Sequence, residues 1–350
     1  MGDITTLGID LAKNVFQVHA ADRFGKTVWS KKVSRAKLKE LIVNLPPCLV
    51  GMEACGSAHF FGREFNAMGH EVRLMAPQYV KPYVKGNKND VKDAEAIAEA
   101  VTRPNMRFVP IKTIAQQNGS ALHRSRSQVV ARRVQVSNHL RGLLAEQGVI
   151  CKIGHSSLRS CLSGIEGGEY KQFETVPFWL RDMMVEIRGL DQRIADYDRE
   201  IKRSAAISET AQRLMQIPGV GPVTATAIEA KVGDMSCFKT GRDFAAFLGL
   251  VPRQNSSGGK ERLLGISKRG DKYLRTLLVH GARAEINAVI ERNKGEGLLY
   301  HCWIQSTVSR VGKNKAAVAL ANKNARIIWA MLKHKRDFNG NFAEIFCKAA

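Results

Sequence analysis

The tightest constraint on the fold lies in the first 75 residues, where short alternating segments and amphipathic stretches follow one another in an order few architectures accommodate. Residues 5–10, 15–20 and 26–33 alternate and break as short strands do, with residues 22–25 as a turn, which predicts three antiparallel strands. Ser34 stands before Leu38, Leu41, Ile42 and Leu45, a spacing that predicts a helix capped by Ser34 and ended by Pro46 and Pro47. A buried strand over 48–53 follows. Ser57 then opens a second helix through Phe61, Phe65 and Met68, Gly69 closes it, and residues 71–75 form a fifth strand.

This βββαβαβ order is that of an RNase H or RuvC-like fold, and it gives meaning to four acids. Asp10 ends the first strand, Glu53 ends the fourth, and Asp90 and Asp93 lie on a predicted helix whose face continues through Ala94, Ile97 and Val101. Both helical carboxylates are therefore expected to point inward, at the sheet edge. Clustered carboxylates repel unless a hard divalent cation sits among them, so the four together predict a site for Mg²⁺, with Mn²⁺ as its substitute. Each acid alone reads equally as a strand-end turn residue or a helix cap.

Residues 113–147 are long, helical and basic, with Arg124, Arg126, Arg132, Arg133 and Arg141 among Leu122, Val129, Val136, Leu140 and Leu143. The arginines suit a nucleic-acid backbone or a solvated face. Residues 148–173 show no clear period and read as a connector. Leu180, Met183, Ile187, Leu190, Ile194, Tyr197 and Ile201 then alternate spacings of three and four, a coiled-coil seam that either joins two copies of the chain or closes a hairpin within one. Residues 217–222 join two helices through a Pro-Gly-Val-Gly-Pro turn resembling a helix-hairpin-helix motif, in which Gly219 and Gly221 would leave backbone N–H groups free to meet a phosphate. A tight turn without a ligand is the plainer alternative.

The loop that follows concentrates the chemistry. Between Pro252 and Arg275 stand seven cations (Arg253, Lys260, Arg262, Lys268, Arg269, Lys272 and Arg275) against the acids Glu261 and Asp271. They surround two adjacent serines, Ser256 and Ser257, and the flexible pair Gly258 and Gly259. A hydroxyl attacks phosphorus only when its proton is removed and the phosphoryl charge is neutralised, and the flank meets the second need. The whole chain repeats the bias: 54 Lys and Arg against 32 Asp and Glu give a formal charge of +22 in 350 residues. A polyanionic partner is expected, nucleic acid ahead of a membrane surface, because no single basic amphipathic helix collects the charge. No signal peptide and no apolar run of membrane-spanning length is found, and the seven cysteines form no metal-binding pattern. Reduced thiols and a cytoplasmic, nucleoid-associated protein are expected.

Taken in order, residues 8–13, Gly51 to Glu53, Asp90 to Asp93, Ile217 to Gly221 and residues 249–260 resemble the DEDD transposases of the insertion-sequence 110 family, and residues 255–260 resemble its 1111 group. The ordered set covers nearly the whole chain. The resemblance implies an N-terminal RuvC-like domain (1–147), a connector and coiled coil (148–205) and a mostly helical C-terminal transposase domain (206–350). It implies recombination of insertion-element DNA through a serine-DNA link, guided by an element-encoded noncoding RNA, while the coiled-coil seam offers the interface of a homo-oligomer. The family's serine precedes a glycine, which corresponds to Ser257. Two rival classes remain on the residues alone: a metal-dependent junction nuclease that uses the acids and not Ser257, and a non-catalytic nucleic-acid binding protein that uses neither.

Overall fold

The computed structural model describes residues 3–86, 89–233, 235–291 and 299–341; Cys347 lies outside them. The chain divides into two compact units, Met1–Gln116 and Gln117–Ala350.

The first unit is built on a six-stranded sheet. Its elements are β1 (Thr6–Asp10), β2 (Val15–Ala21), β3 (Thr27–Ser34), α1 (Arg35–Val43), β4 (Leu49–Glu53), α2 (Ala58–Ala67), β5 (Glu71–Met75), α3 (Pro77–Val80), α4 (Asp90–Val101) and β6 (Phe108–Val109). The strand order is β3-β2-β1-β4-β5-β6. β1, β2 and β3 pair antiparallel, β1, β4 and β5 pair parallel, and β6 returns antiparallel along β5. The alternation in the sequence thus forms the expected strands, and only the two-residue β6 is added. One side of the sheet (Leu7, Ile9, Phe16, Val18, Val50 and Met52) packs on Leu38 and Ile42 of α1 and Phe61 and Phe65 of α2. Phe16 and Phe61 meet edge to face with centroids 5.3 Å apart. α4 covers the opposite side with Ile97 and Val101, beside Met75 and Val80.

The second unit is helical. α5 (Ile114–Glu146), α6 (His155–Glu166) and α7 (Phe178–Ile207) pack through Leu140, Leu144, Leu158, Leu162, Leu180, Met184 and Ile187. A second patch joins Val129 of α5 to Leu190 and Ile194 of α7. The heptad seam is therefore buried within its own chain, the hairpin alternative, because α5 and α6 supply the apolar partner that a second copy would have given. α6 occupies the stretch read as a connector, and its Cys161 is joined by a disulfide to Cys151, which precedes the helix, where free thiols were expected. Three of the five α5 arginines pair with acids of α7: Arg126 with Asp198 at 2.6 Å, Arg132 with Glu186 at 2.6 Å and Arg133 with Asp191 at 3.0 Å. Arg141 donates to the carbonyl of Gly154 at 2.6 Å. These guanidiniums hold helices together.

α8 (Glu209–Met215), α9 (Pro222–Val232), α10 (Gly241–Phe247), α11 (Lys272–Glu291), α12 (Leu299–Val311) and α13 (Lys313–His334) complete the unit around a core that includes Leu214, Ile228, Phe244, Leu278, Tyr300 and Leu320. Thr240 and Asp243 form a reciprocal capping box at the start of α10. Among the described residues no helix is long and apolar enough to cross a membrane.

Candidate functional site

The chemistry read from the sequence falls in two places, one in each unit. In the first, the strand pleat decides which acids meet. Neighbouring residues of a strand face opposite sides; with Leu7, Ile9, Val50 and Met52 turned to α1 and α2, the side facing α4 receives Gly8, Asp10, Gly51 and Glu53. A Cβ at Gly8 would overlap the Ala94 carbonyl oxygen, and one at Gly51 would lie 2.8 Å from Val101 Cβ. Glycine at both positions lets α4 rest directly on β1 and β4, just short of the two strand-end acids. Ile9 pairs with Met52, so Asp10 and Glu53 end adjacent parallel strands side by side. Asp10 pairs in turn with Gln17, and Gln17 with Lys32, giving one row across four strands. Cys55 registers the carboxylate pair: desolvation, and then the charges of Glu53 and Asp10, push its thiol above the ordinary value.

Asp90 and Asp93 open α4, where Asn89 Oδ1 caps by accepting from Lys92 N at 2.9 Å. Negative charge in a first turn is favourable there without any metal. The expectation that both carboxylates point inward needs correction. Asp93 is half-buried, but the Asp90 side chain is 67% exposed and faces Lys32 across 3.7 Å. As the first residue of the helix, Asp90 stands about one turn before Ala94, the residue that touches the sheet. Asp10, Gln17, Lys32 and Asp90 line one cleft of about 390 Å³. Among the described residues, no three acidic, histidine or cysteine side chains gather as a metal-ligating group. Their oxygens are of the hard kind Mg²⁺ accepts. The donor chemistry fits a divalent ion, and the fold brings the donors together in pairs.

In the second unit the serine loop forms a β-hairpin. β7 (Pro252–Gln254) and β8 (Leu263–Ile266) pair antiparallel, Asn255 N donates to Arg262 O at 2.9 Å, and Ser257 bridges Lys260 across the tip. Gly258 and Gly259 have φ of +56° and +76°, the left-handed pair a tight two-residue hairpin turn requires. The signal was present in the sequence: two glycines between flanks able to pair. Cross-strand partners share a face. Ser257 therefore lies with Lys260, Asn255 and Arg262, whereas Ser256 lies with Glu261, Gln254 and Leu263, and its Oγ accepts from Arg262 N at 3.2 Å. From Pro252 to Gly265 the ribbon is exposed.

Its root is the opposite. A Cβ on Gly249 would overlap Arg269 O, one on Gly270 would overlap Phe247 O, and Ser267 N donates to Val251 O at 2.8 Å. Arg275, read as a phosphate contact, directs Nη1 to Leu248 O at 2.9 Å. Asp271 caps α11 through Leu274 N at 2.9 Å and takes Lys231 Nζ at 2.7 Å. Next to it, buried His123 touches Tyr273 Oη and Thr226 Oγ1, each at 3.0 Å. Burial, with the charges of Arg126 and Lys231, lowers the His123 imidazole to about 4. Arg253, Lys260, Arg262, Lys268 and Arg269 are exposed on or beside the ribbon.

Gly219 and Gly221 play different parts. Gly219, at φ +82°, backs onto Gly281 of α11, whose carbonyl oxygen would lie 2.6 Å from a Cβ there. Asn324 Nδ2 donates to Pro218 O at 3.2 Å and Tyr300 Oη at 3.3 Å, so the turn is held from inside. Gly221 is exposed and precedes the first residue of α9.

Residues 211–294 match a family model described as the transposase IS116/IS110/IS902 family, and residues 7–148 match a transposase model for the DEDD domain of the IS110 group. The chain is 46% identical over 335 residues to a probable family 20 transposase of Pseudomonas aeruginosa, covering 95% of this chain and 98% of that one. It is 44% identical to the transposase for insertion sequence element IS1111A of Coxiella burnetii, with 97% and 92% covered. To the transposase for insertion sequence element IS1328 of Yersinia enterocolitica it is 42% identical, with 95% and 97% covered.

Proposed function

The chain belongs to the IS110 family of insertion-sequence transposases, enzymes that cut and rejoin DNA, and we propose that it does so through a covalent link to Ser257. The observation that carries this reading is the ribbon tip: a serine before a left-handed glycine pair, exposed, on the same face as Lys260 and Arg262. In the proposed step Ser257 Oγ bonds to the scissile phosphorus as the P–O3′ bond breaks. The hydroxyl proton passes to a base, and a proton ends on the released 3′ oxygen. A 3′-hydroxyl then attacks the phosphoserine and returns the proton, so the joined strand needs no external energy source. Lys260, Arg262, Arg253, Lys268 and Arg269 stabilise the phosphoryl charge and hold the backbone; Gly221 offers a further phosphate contact at the start of α9.

Asp10 and Glu53, with Asp90 and Asp93, would hold the divalent ion, Mg²⁺ or Mn²⁺, which when bound would polarise phosphoryl oxygen. The strand order around Asp10 and Glu53 supports a RuvC-like reading of the first unit. The guide RNA rests on the resemblance of the motifs, and the homo-oligomer would use surfaces other than the buried α7 seam. The setting is the cytoplasm, on nucleoid DNA.

Peptide mapping after reaction with a nicked suicide substrate in Mg²⁺ tests the covalent step. A nucleotide adduct on Ser257, lost in Ser257→Ala and kept in Ser256→Ala, is expected. DNA cut with no adduct on either serine hands the case to the metal-dependent junction nuclease; an adduct on Ser256 moves the role by one residue.

A further inference from the structure

The row that ends β1 contains a residue with no role so far. Gln17 is 4% exposed, yet its Oε1 has no hydrogen-bond partner among the described residues. A buried acceptor without a partner gives up its bond to water and gains none in return, so such groups are rare in folded proteins and ask for a reason. The register turns Gln17 to the same side of the sheet as Asp10, and both line the cleft with Asp90 and Lys32. Its Nε2 donates to Ser30 Oγ at 2.8 Å. With the amide in this orientation, the oxygen is the end left for a ligand.

We propose that Gln17 Oε1 is an additional oxygen donor to the divalent cation held by Asp10, with Ser30 as its positioning residue. The inference rests on the carboxylate reading above. It accounts for a site in which no three acidic, histidine or cysteine groups converge among the described residues: a neutral amide oxygen supplies the next donor in the cleft, adding a hard ligand without another negative charge to repel the acids. Lys32 pairs with Asp90 across 3.7 Å with both side chains mostly exposed, a surface pair of small worth that a dication can outcompete. Period-two parity makes Gln17 visible: Phe16, Val18 and Ala20 face one core, which leaves Gln17 and His19 facing α4.

The test is Mn²⁺ binding to the full-length protein without DNA, read from the electron paramagnetic resonance of free Mn²⁺, beside thermal unfolding in chelator. Gln17→Leu should weaken Mn²⁺ about tenfold while its melting temperature in chelator stays level or rises, because the orphan acceptor is gone. Gln17→Glu should melt lower than the parent in chelator and gain more from Mn²⁺ than the parent does, which decides the matter even if the leucine variant fails to fold. Ser30→Ala should weaken Mn²⁺ by a smaller factor. Mn²⁺ affinity within twofold of the parent in both Gln17 variants, while Asp10→Asn abolishes binding, overturns this inference alone. Binding unchanged in Asp10→Asn overturns the carboxylate reading and the inference with it.

Discussion

The acids and the serine are mounted in opposite ways. Asp10 and Glu53 end neighbouring strands of a sheet covered by α4, with Gln17 beside them only 4% exposed. Ser257 rides on a ribbon whose Leu263 is 64% exposed. On the proposed function, the difference follows from what each group would require. Like charges interact in inverse proportion to their distance and repel more as water is excluded, so carboxylates that share a cation need fixed spacing. A nucleophile for a DNA strand needs reach, and a two-residue turn beyond a clamped root provides reach with a defined direction.

Three substitutions or conditions would break or sharpen that contrast. The largest effect on stability belongs to the sheet. Gly8→Val places a side chain into the Ala94 carbonyl, and the expected loss is about 3 kcal/mol or more. Thermal unfolding and limited proteolysis should show residues 1–116 opened; a native melting curve would mean that α4 does not rest on β1 as described.

Next comes the root of the ribbon, through pH. The His123 imidazole is lowered to about 4, first by burial and then by Arg126 and Lys231. The unfolded chain takes up this proton near the ordinary histidine value of 6.5, and the folded chain resists it until about 4. Stability from this group is therefore complete above pH 6.5 and falls on acidification towards pH 4, by about 2–3 kcal/mol. His123→Gln, which does not titrate, should flatten that part of the pH profile measured by denaturant unfolding. An unchanged slope would remove His123 from the account.

The smallest change in stability is expected at the tip. Gly259 has φ +76° and open space where a Cβ would go, so Gly259→Ala costs about 1 kcal/mol of local strain. Because that cost falls on an exposed hairpin, the melting temperature should hold within about 2 °C. Strand transfer should drop several-fold as the turn reopens. Full activity with an alanine there would show that the left-handed turn does not aim Ser257.

The order of strands and helices in the first 75 residues was legible because alternation and the 3.6-residue period are local signals. Asp10 and Glu53 could be assigned to strand ends for the same reason. Arg126, Arg132 and Arg133 could not be sorted from the sequence, since a basic helix face is equally a nucleic-acid surface or one side of an ion-pair seam. Only the acids of α7 at 2.6–3.0 Å decide it. Arg275 likewise sits among exposed cations in sequence and turns inward in space.

By itself the sequence determined which residues could carry chemistry and which strand faces they occupy, for parity and period depend only on neighbours along the chain. The tertiary structure decided which of them meet. Gly8 packs against Ala94 and Gly51 against Val101, residues far away along the chain, Gln17 joins Asp10 only through strand pairing, and the α7 seam closes on α5. Contacts of that kind depend on where the whole chain places its elements, and no window of sequence contains both partners.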